Sequence, residues 1–304
     1  MTSRGILRAD AVLLLVAVIF GVGFVVQKSA MDGASAIGPM SFSGIRLLMG
    51  GLVLVPFLGL GKRMRPARLA SEAHQRRGML AAGVLLAAGA ILQQWGLVYT
   101  QAGVAGFVTG LYVVFVPMLG LIIGYRVHRL TWIAASLAVL GLYFLSVSGR
   151  PQLNPGDWLI LAGAVCWAAQ MLVIGWIAPA MDPMRLATGQ NLVGGVLACA
   201  VALCLETTTL EQIQAVGWEL AYSGPIAIGL AFFLQILAQR DAPPAHTAIL
   251  LSMEAVFSAV AGWMFLHEHM TGVMFIGCGI VLLAMLVAQW RPPRDMPKAV
   301  ALEN

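Results

Sequence analysis

The sequence predicts an all-α integral membrane protein whose ten transmembrane helices form two inverted five-helix repeats. Three observations lead to this fold: the composition, the spacing of the apolar segments and an internal repeat. Of the 304 residues, 60% are apolar and only 10% are charged, and the mean hydropathy is +0.88. Soluble domains are about 25% charged, so most of the surface of this chain must face lipid rather than water.

Apolar segments long enough to cross about 30 Å of hydrocarbon recur along the chain. We predict ten spans, which cover residues 10–30, 39–60, 78–99, 102–124, 130–148, 155–177, 184–205, 217–239, 243–266 and 270–290. The first is predicted to be a membrane helix, because its apolar part is longer than the roughly 7 to 15 residues of a secretory signal core. The spans occupy most of the chain, which leaves no room for a soluble domain.

The two halves of the chain resemble each other. A shift of 144 positions aligns the Gly-Gly pair at 50–51 with the pair at 194–195, and a shift of 147 aligns Phe20 with Trp167. Five spans are an odd number, so two such units cross the membrane in opposite directions. We therefore predict a first repeat at 1–148, a second, inverted repeat at 155–290 and a short cytoplasmic tail at 291–304. Inverted repeats are characteristic of secondary transporters.

Loop charges predict that both termini are cytoplasmic. In that orientation 15 of the 18 Lys and Arg residues lie on the cytoplasmic side. Only Lys28 and Arg150 lie outside, and Arg46 lies within a span. An excess of basic residues in the cytoplasmic loops is the strongest orientation signal in membrane proteins.

Two stretches of the sequence resemble the EamA family of the drug/metabolite transporter superfamily. They are TGLYVVFVP at 109–117 and LLSME at 250–254, the latter followed by Val256, Phe257, Gly262, Trp263, Leu266, Glu268 and Thr271. Within the family the chain is most similar to the YddG-type exporters of amino acids and metabolites. The resemblance covers essentially the whole chain. It implies a carrier of the bacterial inner membrane that exports aromatic and other amino acids, and related small metabolites, by alternating access through a central cavity.

Two ionisable side chains lie deep within the predicted spans, Glu254 in the ninth and Arg46 in the second. A charge at that depth costs roughly 2.5–3.5 kcal/mol on insertion scales, so each should face a cavity or a partner. We expect Arg46 to bind the carboxylate of a zwitterion. Glu254 is expected to bind its ammonium group or a proton. The alternatives are an ion pair between the two side chains, or separate hydrogen bonds to neighbouring helices.

Amides and aromatic side chains inside the apolar runs complete the predicted site. The predicted substrate-binding residues are Phe20, Phe24, Gln27, Arg46, Gln93, Gln94, Tyr99, Tyr112, Trp167, Gln170, Gln190, Gln235 and Glu254. The amides have an alternative role as hydrogen bonds between helices, worth about 0.6 kcal/mol each. The aromatic rings have an alternative role in packing. Adjacent residues project about 100° apart on a helix, so only one of Gln93 and Gln94 is expected to line a cavity.

Sequence motifs give no sign of enzymatic chemistry. HExxH, GxSxG and GxxxxGK[ST] are absent from the sequence, and we predict a protein that is not an enzyme and needs no cofactor or metal. The predicted partners are a small-molecule substrate and membrane lipid, without nucleic acid, and the carrier is predicted to act as a monomer. Two alternatives stay open: an exporter of lipophilic cations with the same fold, and an intramembrane lipid-modifying enzyme. The first is disfavoured because the predicted first span has no acidic residue between Asp10 and Asp32.

Overall fold

The computed structural model describes residues 3–32, 37–61, 69–125, 127–146, 154–267 and 271–290. Their regular secondary structure is helical, and no β-strand occurs among them. The predicted tail 291–304 lies outside the described residues, as do Arg150 and Glu268.

Fifteen α-helices are formed by the described residues. They are α1 (Ser3–Ser29), α2 (Pro39–Leu54), α3 (Leu58–Gly61), α4 (Glu72–Leu97), α5 (Ala102–Gly110), α6 (Tyr112–Ile122), α7 (Arg129–Ser146), α8 (Pro155–Ile177), α9 (Pro183–Leu205), α10 (Leu210–Ala215), α11 (Gly217–Tyr222), α12 (Ala231–Gln239), α13 (Pro244–Leu251), α14 (Met253–Phe265) and α15 (Gly272–Trp290). A π-helical segment, Ser223–Leu230, joins α11 to α12.

Eight helical segments within the described residues are long and apolar enough to cross a membrane. They are Leu7–Ser29, Pro39–Phe57, Glu72–Leu97, Ala102–Ile122, Pro155–Ala180, Pro183–Leu205, Gly217–Gln239 and Pro244–Phe265. The chain is therefore a multi-pass membrane protein. The predicted fifth and tenth spans correspond to α7 and α15, which are apolar but shorter, with apolar stretches of Arg129–Phe144 and Gly272–Val287. The number ten stays a prediction.

The first helix begins earlier than the sequence suggested. It starts at Ser3, so Asp10 lies inside α1, where it is buried. The predicted span began at Asp10, so the structure moves this carboxylate from the first residue of the span to a position inside the helix, and no other acidic residue follows it before Asp32. An apolar window places the start of a span where hydropathy rises, whereas the helix itself extends further towards the N-terminus.

Two of the long segments are broken at corresponding places. The regular α-helix of the fourth segment is interrupted at Leu111, between α5 and α6, and that of the eighth at Ser252, between α13 and α14. At the second break the Ser252 hydroxyl donates a 2.7 Å hydrogen bond to the carbonyl of Ile249, a local bond that competes with regular helix geometry. Discontinuous membrane helices commonly form the substrate and ion sites of transporters.

Glycines allow the helices around these breaks to approach closely. A Cβ atom at Gly21 of α1 would lie 2.4 Å from the Cβ of Phe257 and 2.8 Å from the carbonyl oxygen of Glu254. At Gly89 of α4, a Cβ would lie 3.0 Å from the indole ring of Trp167. Close approach of backbones at small residues is the usual basis of helix packing in lipid. These contacts fix α1 against α14 and α4 against α8.

Candidate functional site: a cavity between the two halves

A cavity with about 560 Å³ of empty space, part of it open to solvent, lies among helices of both halves of the chain. Its lining residues are Phe20, Gly23, Phe24, Gln27, Arg46, Gln93, Thr109, Tyr112, Trp167, Gln170, Met171, Ala227, Ile228, Phe232, Gln235, Leu251 and Glu254. Helices α7 and α15 contribute no residue to this lining and pack against each other.

The structure brings most of the predicted site residues into this cavity and places three elsewhere. Gln94 is fully buried behind the wall and donates a 3.1 Å hydrogen bond to the carbonyl of Gln27. Gln190 is also fully buried, and it accepts a hydrogen bond of 3.2 Å from the amide of Gln170. Tyr99 follows the end of α4 and is 56% exposed. The structure therefore places these three predicted residues outside the lining of the cavity.

Arg46 and Glu254 are buried in the cavity wall, and neither has an ionic partner among the residues that the structure describes. Arg46 is 3% exposed, and its guanidinium carbon lies 5.7 Å from the centroid of the Phe42 ring. Its Nε has no hydrogen-bond partner. Glu254 is 4% exposed, lies beside Tyr112 and has no partner for its Oε1 atom. The two side chains do not form an ion pair with each other, so the alternative of an Arg46–Glu254 pair is not observed.

A chain of hydrogen bonds follows one wall of the cavity and crosses from one half to the other. The indole nitrogen of Trp167 donates to Gln93 Oε1 at 2.8 Å, and Gln93 Nε2 donates to Gln27 Oε1 at 3.4 Å. Gln27 Nε2 in turn donates to the carbonyl of Gly23 at 3.0 Å. These amides therefore serve as connections between helices while they also line the cavity.

Several other polar atoms of the lining residues have no hydrogen-bond partner among the described residues. Gln235 donates to Gln239 at 3.2 Å, but its own Oε1 accepts no hydrogen bond. Gln170 Oε1 and Thr109 Oγ1 are also buried without a partner among the described residues. Leaving a buried polar group unpaired costs about 1–3 kcal/mol. Several such groups around one cavity indicate a binding site for a polar ligand.

Three aromatic rings of the cavity wall lie against one another. The Phe232 ring lies between the other two, with its centroid 5.2 Å from that of Phe20 and 5.9 Å from that of Trp167. The Trp167 and Phe232 rings are stacked at 26°, within the range of favourable aromatic pairs. Phe20 and Trp167, aligned by the sequence repeat, thus both contact one ring that the sequence did not single out.

Sequence reasoning missed seven lining residues for two different reasons. Gly23, Met171, Ala227, Ile228, Phe232 and Leu251 belong to apolar runs, where composition does not distinguish cavity from lipid. Thr109 is different, since it opens the stretch at 109–117 that carries the family resemblance and is a polar side chain within a span. A polar side chain inside an apolar run could have been selected as a candidate lining residue.

The chemistry of the cavity suits binding of a small polar molecule with an apolar part. It offers one cationic group, one acidic group, several amides and hydroxyls, and an aromatic wall. Among the described residues, no group of three or more His, Cys, Asp or Glu side chains is placed to hold a metal ion.

The family profile described as the EamA-like transporter family matches this chain twice, at residues 7–147 and again at 154–289. The chain belongs to the EamA-like transporter family. This confirms the resemblance found in the sequence. Family membership establishes a transporter, and the substrate of a transporter of this kind is a small molecule.

Relatives of this EamA-family chain are transporters as well. It is 30% identical to an uncharacterized transporter of Archaeoglobus fulgidus, over 94% of this chain and 87% of the relative. It is 25% identical to the threonine/homoserine exporter RhtA of Salmonella typhimurium, over 86% and 88% of the two chains. It is 24% identical to the uncharacterized inner membrane transporter YedA of Escherichia coli, over 94% and 92%.

A solved crystal structure with 17% sequence identity has the same fold. It superimposes with a TM-score of 0.70 and covers 92% of this EamA-family chain and 96% of the other. At that identity the likeness concerns the fold alone.

Proposed function

We propose that this EamA-family transporter exports amino acids and related small metabolites by alternating access through the central cavity. The observation that carries the proposal is the presence of two buried, oppositely charged groups, Arg46 and Glu254, in one cavity and without ionic partners among the described residues. A zwitterion supplies a partner for each. The relative RhtA, a threonine/homoserine exporter, supports an amino acid as substrate.

In the proposed binding mode, the carboxylate of the substrate pairs with Arg46, and its ammonium group pairs with Glu254 beside Tyr112. The side chain of the substrate then contacts the rings of Phe20 and Trp167. Removing one partner from a buried ion pair costs about 3–5 kcal/mol, which corresponds to at least a hundredfold in affinity. A compound with only one of the two charges should therefore bind far more weakly than the zwitterion.

The proposed architecture is ten spans in two inverted repeats, 1–148 and 155–290. The double match of the family profile supports it. So do the two helix breaks, at Leu111 and Ser252, which are 141 positions apart. Cavity-lining residues also fall into pairs at nearly the same separation, 142 to 147 positions: Phe20 with Trp167, Phe24 with Met171, Gln93 with Gln235, Thr109 with Leu251, and Tyr112 with Glu254. Two repeats related by a pseudo-twofold axis through the centre of the cavity would produce such pairs.

The carrier is proposed to lie in the bacterial inner membrane as a monomer among lipids, with both termini in the cytoplasm. The distribution of Lys and Arg residues supports this orientation. The name of the relative YedA, an inner membrane transporter, supports the location.

Counterflow in liposomes tests the substrate class. The purified protein is reconstituted into vesicles loaded with unlabelled L-threonine, and uptake of labelled threonine is followed while competitors are added outside. Threonine and other amino acids should compete. The decarboxylated analogue 1-aminopropan-2-ol and the deaminated analogue 3-hydroxybutyrate should each compete at least about a hundredfold less well, because each leaves one buried charge unpaired. Absence of counterflow with every amino acid, or equal competition by either analogue, contradicts the proposal.

A second candidate, export of lipophilic cations, is favoured by one observation: Glu254 lies in a cavity whose wall contains Phe20, Trp167 and Phe232. The unpaired Arg46 in the same cavity opposes it, because a cation would add a like charge without supplying a partner. The same vesicles distinguish the two functions, since a lipophilic cation such as ethidium should compete with threonine only if this second function is correct.

A further inference from the structure

A second pair of ionisable side chains is buried outside the substrate cavity. Nε2 of His246 lies 2.7 Å from Oδ1 of Asp10, and the two side chains are only 1% and 7% exposed. Asp10 belongs to α1, in the first half of the chain, and His246 is the third residue of α13, in the second half. Neither residue lines the cavity. The pair therefore joins the two halves at the end of the protein where α1 begins.

The hydrogen bonds of the pair fit a neutral imidazole facing a carboxylate. Nδ1 of His246 is buried and has no hydrogen-bond partner. If Nε2 carries the ring proton, its N–H donates the hydrogen bond to Asp10. The unprotonated Nδ1 then has a lone pair without a donor, and no N–H group of the ring is left without an acceptor. A second proton on the ring would create a buried N–H without an acceptor, and a proton on Asp10 would remove the charge that accepts the bond. Binding of one proton therefore changes the contact between α1 and α13 in either case.

Both helices of the pair also carry cavity residues. Phe20 follows Asp10 on α1, and Glu254 follows His246 beyond the break at Ser252. The helix is interrupted at Ser252, so α13 and α14 are not one rigid rod. A shift of α13 against α1 therefore need not move α14. A change at the pair is thus placed to alter one end of the cavity while Glu254 stays in position.

The equivalent position at the other end of the protein is built differently. The shift of 147 positions that aligns Phe20 with Trp167 also aligns Asp10 with Asp157. Asp157 accepts a 2.9 Å hydrogen bond from the backbone nitrogen of Asn154, as part of the capping box of α8. Within the described residues it has no cationic partner. The histidine partner is therefore a feature of one end alone.

Other titratable or charged groups lie on the elements that pack against the pair. They are Arg8 and Lys28 on α1, Glu72, His74, Arg76 and Arg77 on α4, Tyr112 on α6, Tyr125 and His128 before α7, Arg129 and Tyr143 on α7, Asp157 and Cys166 on α8, Glu219 and Tyr222 on α11, Arg240 and Asp241 after α12, Glu254 on α14 and Cys278 on α15. Arg8 and His128 are exposed, and burial raises the pKa of Tyr125. Within the part of the chain that the structure describes, no second hydrogen bond or ion pair to Asp10 or His246 is found.

We propose that Asp10 and His246 form a proton-binding site, separate from the substrate cavity, that controls opening of the cavity at the end where α1 begins. The unprotonated pair holds α13 against α1 and keeps that end closed. One proton from the adjacent water, the cytoplasm in the proposed orientation, binds to the pair and weakens this link, and its release restores the link. The transport readout rests on the proposed function, but the site itself does not depend on which substrate is carried.

Counterflow at equal pH on both sides of the vesicle membrane gives the first test. Between about pH 5 and 8, the range in which histidine sites commonly change charge, the wild-type rate should depend on pH. Asp10→Asn together with His246→Gln should flatten that profile to less than about a twofold change, because neither of the two amides binds or releases a proton in this range. The KM for threonine should change little, since the cavity is intact. Glu72→Gln, which breaks the exposed Glu72–Arg76 ion pair, is the matched control and should keep the wild-type profile.

Hydrogen exchange of the backbone amides of α13 gives a second test without any substrate. After correction for intrinsic exchange rates, α13 in the wild type should be less protected at about pH 6 than at about pH 8. In His246→Gln, whose amide can still donate to Asp10 but does not titrate, protection should be the same at both values. This variant also covers the case in which the double variant fails to fold.

The outcomes separate this proposal from the proposed function. A wild type with equal corrected protection at both pH values overturns the proton site, even if amino acids are transported. A variant that folds and keeps the wild-type pH profile overturns it as well. If no amino acid is transported but the wild-type protection changes with pH and that of His246→Gln does not, the proposed substrate class is wrong and the proton site is supported.

Discussion

Two glycines on α1, two residues apart, provide a matched pair of substitutions. A Cβ atom at Gly21 would lie 2.4 Å from Phe257 Cβ, 2.8 Å from the carbonyl oxygen of Glu254 and 2.9 Å from the nitrogen of Ser258. Two of these three atoms belong to the backbone of α14, which cannot move aside as a flexible side chain can. At Gly23, a Cβ would have its nearest neighbour, Gln27 Nε2, at 3.6 Å, which is ordinary contact.

The expected magnitude follows from this difference. Both substitutions replace a helical glycine by alanine, so the gain in helix propensity is about 1 kcal/mol in each and cancels in the comparison. Gly21→Ala additionally forces α1 and α14 apart by roughly an ångström, and overpacking of this kind costs about 1–3 kcal/mol. One kcal/mol shifts the melting temperature by about 2–4 °C in domains of about 150–250 residues and by no more than that in a chain of 304, so Gly21→Ala should melt a few degrees below Gly23→Ala.

Thermal unfolding in detergent and counterflow in liposomes measure the two effects. Gly21→Ala should lower both the melting temperature and the transport rate, because the displaced segment of α14 carries Glu254. Gly23→Ala should raise the melting temperature by a few degrees, because the gain in helix propensity is not offset, and it should raise the KM, because its methyl group enters the cavity. A melting temperature for Gly21→Ala equal to or above that of Gly23→Ala refutes the described packing of α1.

Three further predictions concern individual side chains. Arg46→Gln should weaken competition by threonine at least about a hundredfold but leave that by 1-aminopropan-2-ol nearly unchanged; equal losses for both compounds argue against a carboxylate site. Trp167→Phe removes the 2.8 Å bond to Gln93 Oε1 and should cost about 1–3 kcal/mol of stability, and an unchanged melting temperature in this variant contradicts the role of that bond. Glu206→Gln should lower the melting temperature without altering the KM. Its carboxylate accepts hydrogen bonds of 3.0 Å and 2.8 Å from the backbone nitrogens of Met40 and Ser41 at the start of α2. A changed KM with an unchanged melting temperature would contradict this structural role.

The sequence was informative where the physical signal is local. Apolar length alone located the eight long segments, because hydrocarbon thickness sets the length of a membrane helix whatever its neighbours are. Depth within an apolar run likewise identified Arg46 and Glu254, since a charge at that position needs an explanation. Adjacent side chains on a helix project about 100° apart, and we therefore expected only one of Gln93 and Gln94 to line the cavity. The lining contains Gln93.

Features that depend on contacts between distant segments could not be found in this way. Phe232 and Phe233 are adjacent in one apolar run, and hydropathy does not indicate which of them meets Trp167. The break at Ser252 depends on a hydroxyl that bonds to its own helix, which serine in a membrane helix does only in some settings. The pairing of Asp10 with His246 spans 236 positions and leaves no local signal.

The two inverted units are tested most directly by labelling equivalent loop positions from each side of the membrane. Val127 precedes α7 and Thr271 precedes α15, and the two are 144 positions apart. In a background without the four native cysteines, single cysteines at these positions are exposed in intact cells and in inverted vesicles to a maleimide that does not cross lipid. The account predicts that Thr271→Cys reacts in intact cells and that Val127→Cys reacts only in inverted vesicles. Labelling of both positions from the same side would contradict the inverted repeat and, with it, the case for alternating access.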